Sequence, residues 1–131
     1  MKYCIRILSL SFLLLFVLSC GTNNDPIDNL AKEKARYEGT LNTTQNTRQV
    51  VINKCIVIVN DDSSIDITIE GGNIYDDKLK ILKEELTKVT DNSYIANKDG
   101  KKYTFVFNSG YMVLTINNTD NTTSNGQVPK K

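Results

Sequence analysis

The seven residues SIDITIE, from Ser64 to Glu70, alternate strictly between polar and apolar side chains. Successive side chains of an extended chain point to opposite faces. The pattern therefore places Ile65, Ile67 and Ile69 on one face and polar side chains on the other. Strict alternation of this kind predicts a β-strand with one buried face.

Turn-forming residues recur on both sides of this strand. They predict turns at Thr44–Thr47, Asn60–Ser63, Gly71–Asn73, Asp99-Gly100 and Asn108–Gly110. Glycine and Asp-Gly pairs readily adopt the positive φ that tight hairpins require. Apolar, β-prone segments such as QVVINKCIVIV and YTFVF lie between these turns. Turn signals at this spacing predict an antiparallel meander.

The segment DDKLKILKEELTKV, residues 76–89, is compatible with two structures. A helix would place four apolar side chains on one face, namely Leu79, Leu82, Leu86 and Val89, and Lys and Glu are good helix formers. Two strands would instead turn Leu79 and Ile81 inward and bend at Lys83–Glu85. The surrounding meander favours the two strands, and we keep the helix as the alternative.

Together these segments predict an all-β domain over residues 36–117, an antiparallel meander that closes into a small up-and-down barrel of about eight strands. Residues 20–35 would form either a polar tether or a short helix that begins at Asp25-Pro26. Residues 118–131 have few apolar side chains to bury, which predicts a disordered tail.

Two segments of the predicted meander resemble a known family. The opening RYEGTL and the closing GKKYTFVFNSGYMVLTI resemble the lipocalin-like (calycin-like) small β-barrel lipoproteins of Bacteroidota. The interior positions are rich in Ile, Val, Leu and aromatic side chains, so we expect a filled or nearly filled barrel rather than a wide cavity.

Residues 1–19 have the pattern of a secretory signal. Lys2 and Arg6 precede an uninterrupted apolar run from Phe12 to Leu18, and small residues follow it. The apolar run is shorter than the ~20 residues that a transmembrane helix needs. We therefore predict that residues 1–19 are removed.

The signal ends in VLSC, residues 17–20, which resembles the lipobox of bacterial lipoproteins. The resemblance implies that Cys20 becomes the mature N-terminus and carries a diacylglyceryl thioether and an N-acyl chain, and we expect no cofactor. Several acyl chains give stable membrane residence where one gives only marginal binding. Gly21, rather than Asp, follows the cysteine, which by the same resemblance implies the outer membrane.

Charge and cysteine content exclude several functions. Loss of Lys2 and Arg6 with the signal leaves the mature chain with a net charge of −1, which argues against a nucleic-acid partner. Cys4 leaves with the signal and Cys20 carries lipid, so Cys55 has no disulfide partner. In NKCIVIV we expect Cys55 to be a small buried apolar side chain.

The chain contains no histidine. Histidine is the commonest general base and the commonest metal ligand, so catalytic triads and the usual zinc sites are excluded. The segment NDDSSIDITIEG resembles a calcium loop, but Ile65 stands where glycine must turn and Gly71 stands where a glutamate belongs. We interpret this segment as a polar hairpin turn and predict no enzymatic activity and no catalytic or metal-ligating residues.

The aromatic residues of the last predicted hairpin form the candidate binding face. With its tip at Asn108–Gly110, this hairpin would pair Phe107 with Tyr111 and Phe105 with Val113. The face would then consist of five side chains, namely Tyr103, Phe105, Phe107, Tyr111 and Val113. Val106, Met112, Leu114 and Ile116 would share the opposite face.

These observations predict a binding module, anchored to the membrane by lipid, for a small apolar ligand or an envelope protein. The alternative is an inhibitor or immunity-type lipoprotein that blocks a toxin or a hydrolase. Such a protein would use a rigid loop, for which the Asn60–Ser64 and Asp99–Lys102 tips are the candidates.

Overall fold

The structure, a computed structural model, describes residues 26–71 and 77–131. Within them nine antiparallel strands form one sheet: β1 (Ala35–Gln45), β2 (Arg48–Val59), β3 (Ile65–Glu70), β4 (Asp77–Ile81), β5 (Leu86–Thr90), β6 (Ser93–Lys98), β7 (Lys101–Asn108), β8 (Tyr111–Asn117) and β9 (Thr123–Pro129). The strand order is β4-β3-β2-β1-β9-β8-β7-β6-β5. The predicted all-β meander is confirmed, and it closes into a barrel except for one seam between β4 and β5.

The directions of the strands explain how nine strands occupy only eight places around the barrel. Every pair from β1 to β4 and from β5 to β9 is antiparallel, and so is the β1–β9 pair. It follows that β4 and β5 run in the same direction. Parallel neighbours need a long crossover, whereas only residues 82–85 separate these two. The strands β4 and β5 are therefore successive halves of one interrupted strand.

This interruption settles the interpretation of residues 77–89. A single-turn 3-10 helix at Lys83–Glu85 lies between β4 and β5, at the predicted bend. Ile81 is fully buried and Leu79 packs against the core. The two-strand prediction is confirmed and the long amphipathic helix is wrong.

A lysine side chain bridges the unsealed seam. Lys98 Nζ, on β6, donates a hydrogen bond of 2.6 Å to the carbonyl oxygen of Lys80 on β4 and lies 2.9 Å from Glu85 Oε2. The same carboxylate accepts the backbone N–H of Leu82 at 2.8 Å. The hydrogen bond from Lys98 is the main reason that the pKa of Glu85 is lowered. The side chain thus connects β6 to β4 where no strand ladder does.

A 3-10 helix at Pro26–Glu33 covers one end of the barrel. Its Leu30 is fully buried, and Tyr37 Oη donates a hydrogen bond of 3.0 Å to the carbonyl oxygen of Glu33. The described part of the segment 20–35 is thus helical, as a 3-10 helix. Within the described ranges no helix combines the length and the apolar composition needed to cross a bilayer.

We call this end of the barrel the closed end. It also carries the β2–β3, β5–β6 and β7–β8 turns. The opposite end, the open end, carries the β1–β2 turn, the β6–β7 turn and the 118–122 loop between β8 and β9. The Asp99-Gly100 turn there has φ of 53° and 75°, the two positive values of the predicted tight hairpin.

The inward side chains form one apolar core. Its largest fully buried members include Tyr37, Tyr94, Phe105, Leu41 and Met112. The ring of Phe107 contacts those of Tyr37 and Tyr94 edge to face, with centroids 5.9 and 6.0 Å apart. Cys55 is fully buried as expected, and its burial raises the pKa of the thiol to about 12.

The prediction of a disordered tail over residues 118–131 is wrong. Strand β9 inserts between β1 and β8 and pairs with both. Beyond it, Lys130 N donates to Gly110 O and Lys131 N donates to Arg36 O, each at 2.9 Å. A strand held by backbone hydrogen bonds on both sides needs few apolar side chains, and here Val128 alone supplies a fully buried one. The barrel therefore extends from Ala35 to Pro129.

Closure of the barrel depends on a close backbone contact between β1 and β9. A Cβ atom added at Gly126 would lie 2.1 Å from the carbonyl oxygen of Thr40. One added at Gly39 would lie 3.0 Å from the carbonyl oxygen of Gln127. Backbone atoms on both strands occupy the space that side chains would need, so glycine is required at Gly126.

Replacement of Gly126 by alanine tests this contact. Because the added methyl group can be accommodated only if β9 moves away from β1, we expect Gly126→Ala to lower the free energy of unfolding by about 3 kcal/mol. Urea denaturation of residues 21–131 measures the change. Asn125→Ala, an exposed neighbour on the same strand, should change it by less than about 0.5 kcal/mol. Equal stability of the two variants would contradict the proposed role of Gly126.

Candidate binding cleft at the open end of the barrel

The structure corrects the register of the β7–β8 hairpin. The loop holds only Ser109 and Gly110, and Gly110 has a φ of 85°. With this two-residue loop, Phe107 pairs with Met112 and Phe105 pairs with Leu114. A register shift of one residue sends every side chain of one strand to the other face.

The candidate aromatic binding face is therefore wrong. Tyr103, Phe105 and Phe107 point into the barrel and are at most 3% exposed, whereas Tyr111 and Val113 are half-buried on the outer surface. The other candidate, the lipidation site Cys20, lies outside the described residues.

The inward side chains instead point to a site at the open end. On β1, β7 and β9 the inward row begins with apolar residues at the closed end and finishes with a polar one, and on β2 a polar residue follows Cys55 toward the open end. The four polar residues are Thr43, Asn53, Lys101 and Ser124. A cleft of about 250 Å³ lies among them, bounded also by Ile69 and the 118–122 loop.

The 118–122 loop is hydrogen-bonded internally. Asn118 N donates to Thr122 O at 2.9 Å. Asp120 Oδ1 accepts both the backbone N–H of Thr122, at 3.0 Å, and its hydroxyl, at 2.5 Å. These bonds, with the hydroxyl contribution the largest, lower the pKa of Asp120. Asn121 takes the left-handed conformation that completes the turn, with a φ of 63°.

The same turn occurs at the closed end, at residues 60–64. Asn60 N donates to Ser64 O at 2.9 Å, and Asp62 Oδ1 accepts the N–H of Ser64 at 3.0 Å and its hydroxyl at 2.6 Å. Ser63 has a φ of 63°. The two loops share the pattern Asn-x-Asp-x-Ser/Thr. The interpretation of NDDSS as a polar hairpin turn is confirmed, and this repeated pattern is the sequence signal that would have located the second turn.

At the open end the turn is joined to the cleft by hydroxyl groups. Asn118 Nδ2 donates to Thr122 Oγ1 at 3.0 Å and to Ser124 Oγ at 3.1 Å. Ser124 Oγ in turn shares a hydrogen bond of 2.7 Å with Thr43 Oγ1. A continuous polar network therefore runs from the loop to β1 along one wall of the cleft.

The Asn53 side chain adds a polar group to a second wall of the cleft. Its Oδ1 atom is buried and accepts no hydrogen bond within the described part of the chain. A buried acceptor without a donor is costly, so such atoms usually have a water or ligand partner. Among residues 26–71 and 77–131, no group of three His, Cys, Asp or Glu residues is placed to hold a metal ion. The arrangement is therefore suited to binding by hydrogen bonds.

No protein-family model matches this chain, and no curated protein matches it. What the cleft does is therefore inferred from its own chemistry.

The two turns predict how stability depends on pH. The folded-state pKa values of Asp62 and Asp120 are both lowered, chiefly by hydrogen bonds from Ser64 and Thr122. As the pH falls, these two carboxyl groups are protonated in the unfolded chain at their ordinary pKa of 3.8, before they are protonated in the folded chain. The stability that these two carboxylates contribute is therefore fully present above pH 3.8 and is lost as the pH falls through their folded-state pKa values.

We expect the thermal midpoint to fall between about pH 4 and pH 2 less steeply for the double variant Asp62→Asn, Asp120→Asn than for the wild type. Calorimetry across this range measures the slope. Asp99→Asn, which changes an exposed turn carboxylate, should retain the wild-type slope. A wild-type slope in the double variant would show that these turns do not set the acid sensitivity.

Proposed function

We propose that this protein is a lipid-anchored, non-enzymatic binding module of the bacterial envelope, and that the open end of the barrel is its recognition surface. The observation that carries the proposal is the polar cleft at the open end, whose walls include a buried acceptor without a partner among the described residues.

The position of the cleft suits a membrane-anchored protein. Pro26 begins the helix that covers the closed end, and five residues, 21–25, lie between the proposed lipidation site Cys20 and Pro26. The six Cα–Cα steps from Cys20 to Pro26 span about 20 Å at most. A lipid on Cys20 would therefore hold the closed end near the bilayer, and the cleft would face away from it.

The chemistry of the cleft favours a polar ligand or an envelope partner over a small apolar ligand. The apolar side chains of the barrel form one buried cluster, which includes the rings of Tyr94, Tyr103, Phe105 and Phe107. The open end presents hydroxyl and amide groups instead. An apolar ligand in the cleft would cover these polar groups without forming hydrogen bonds to them.

Lipidation is tested by metabolic labelling with a palmitate analogue. We expect the wild-type protein expressed in a diderm bacterium to be labelled and recovered with the outer membrane. Cys20→Ala should be unlabelled, because it lacks the thiol that takes the acyl glyceride. An unlabelled wild type, or a labelled and normally processed Cys20→Ala, would contradict the proposed anchor.

Recognition at the open end is tested by affinity capture from the envelope with residues 21–131. Thr119→Arg places a long cation at the rim of the cleft, whereas Ser109→Arg places the same side chain on an exposed turn at the closed end. We expect capture of a defined ligand to be abolished by Thr119→Arg and retained by Ser109→Arg.

Equal capture by both variants would place recognition elsewhere on the barrel. A stoichiometric toxin or hydrolase whose activity falls on binding would instead support the inhibitor function.

A further inference from the structure

We propose that the cleft at the open end binds a neutral, hydroxyl-bearing ligand, namely a single sugar residue. The side-chain oxygen Oδ1 of Asn53 would act as the acceptor and the Thr43–Ser124 hydroxyl pair as the donor. This inference rests on the proposed function and assigns a class of ligand to the same site.

The hydroxyl pair has one hydrogen atom to spare. Asn118 Nδ2 donates to Ser124 Oγ at 3.1 Å, and the Thr43–Ser124 bond at 2.7 Å uses one hydroxyl hydrogen. If Thr43 is the donor in that bond, the hydrogen of Ser124 is left over; if Ser124 is the donor, the hydrogen of Thr43 is left over. In either orientation this wall of the cleft offers a ligand one donor.

Asn53 offers the complementary group. Its Oδ1 is buried and has no donor among the described residues, so a rotation of this half-buried side chain that brings Oδ1 to the cleft would let a ligand donate a hydrogen bond and remove an unsatisfied acceptor. The two walls of one cleft thus present a donor and an acceptor. A hydroxyl group both donates and accepts, so two neighbouring hydroxyls of a sugar ring can satisfy both walls.

Charged ligands fit the cleft less well. A carboxylate or phosphate would bring only acceptors against Asn53 Oδ1 and the carboxylate of Asp120, and a simple ammonium would leave the spare hydroxyl hydrogen unused. Lys101 and Asp120, both on the cleft wall, carry opposite charges and select neither sign. A neutral ligand is therefore favoured.

The size and lining of the cleft limit the ligand to a compact polar group. Its volume of about 250 Å³ is below the ~300–1,000 Å³ of sites that enclose drug-sized molecules. Of the side chains around it only that of Ile69 is purely apolar. One sugar unit of a larger glycan is compact enough for this volume.

Nuclear magnetic resonance titration of residues 21–131, which contain the whole barrel, tests the inference. The probes are glucose, galactose, mannose and N-acetylglucosamine, with triglycine and octanoate as the peptide and apolar comparisons. We expect at least one sugar to give saturable shifts at Thr43, Asn53 and Ser124, with a dissociation constant on the order of 1 mM. Triglycine and octanoate should leave these signals unchanged.

Two near-isosteric variants separate binding from folding. Asn53→Leu removes the acceptor and Thr43→Val removes a hydroxyl, and each should weaken sugar binding about five- to tenfold. Asn53→Leu should not lower the thermal midpoint, because it removes a buried acceptor that has no protein donor in the described chain. Ser109→Ala, at the closed end, should bind as the wild type does.

Saturation of the same residues by triglycine or octanoate but by none of the four sugars would overturn the ligand class while leaving a binding module. Sugar binding unaffected by both Asn53→Leu and Thr43→Val would also overturn the inference. Absence of any response to all six probes would overturn the inference too. The proposed function would still be decided by the affinity-capture experiment with Thr119→Arg and Ser109→Arg.

Discussion

The contact between β1 and β9 at Gly126 holds the barrel together. Here the backbones come so close that a Cβ would lie 2.1 Å from the carbonyl oxygen of Thr40. Strand β9 joins β1–β4 on one side to β5–β8 on the other. The opposite seam is bridged by the Lys98 side chain instead of a strand ladder. The β1–β9 pairing is therefore the connection that brings the polar residues Thr43 and Ser124 into one cleft.

Much of the fold could be predicted because it follows from local rules. Alternating isoleucines specify β3, Asp99-Gly100 specifies a tight hairpin, and apolar residues on both sides of Lys83–Glu85 fit two half-strands. The strand β9 could not be predicted in this way. Its segment TSNGQVP has a single large apolar residue, and what holds it is backbone pairing on both edges. Such pairing leaves little trace in local composition.

The site was harder to predict than the fold. The binding face predicted on the aromatic hairpin was wrong because a shift of one residue in register exchanges the two faces of a strand. The length of the loop decides that register. The cleft could not be predicted because its polar residues, such as Thr43 and Ser124, are distant in sequence. Each looks like an ordinary surface residue until β9 brings them together. Only the repeated Asn-x-Asp-x-Ser/Thr turn gave a signal that the 118–122 loop was ordered.

The position of β9 along the chain also affects how the protein is made. It follows every other described strand, so the ribosome delivers it last. Until then β1 and β8 keep unpaired edges, and the many long-range contacts of a closed barrel cannot form. A chain that enters a secretion channel during synthesis therefore has no finished barrel that must first be unfolded. For a chain exported as proposed above, closure would wait for the compartment where β9 arrives, so the chain would travel open and become stable after delivery.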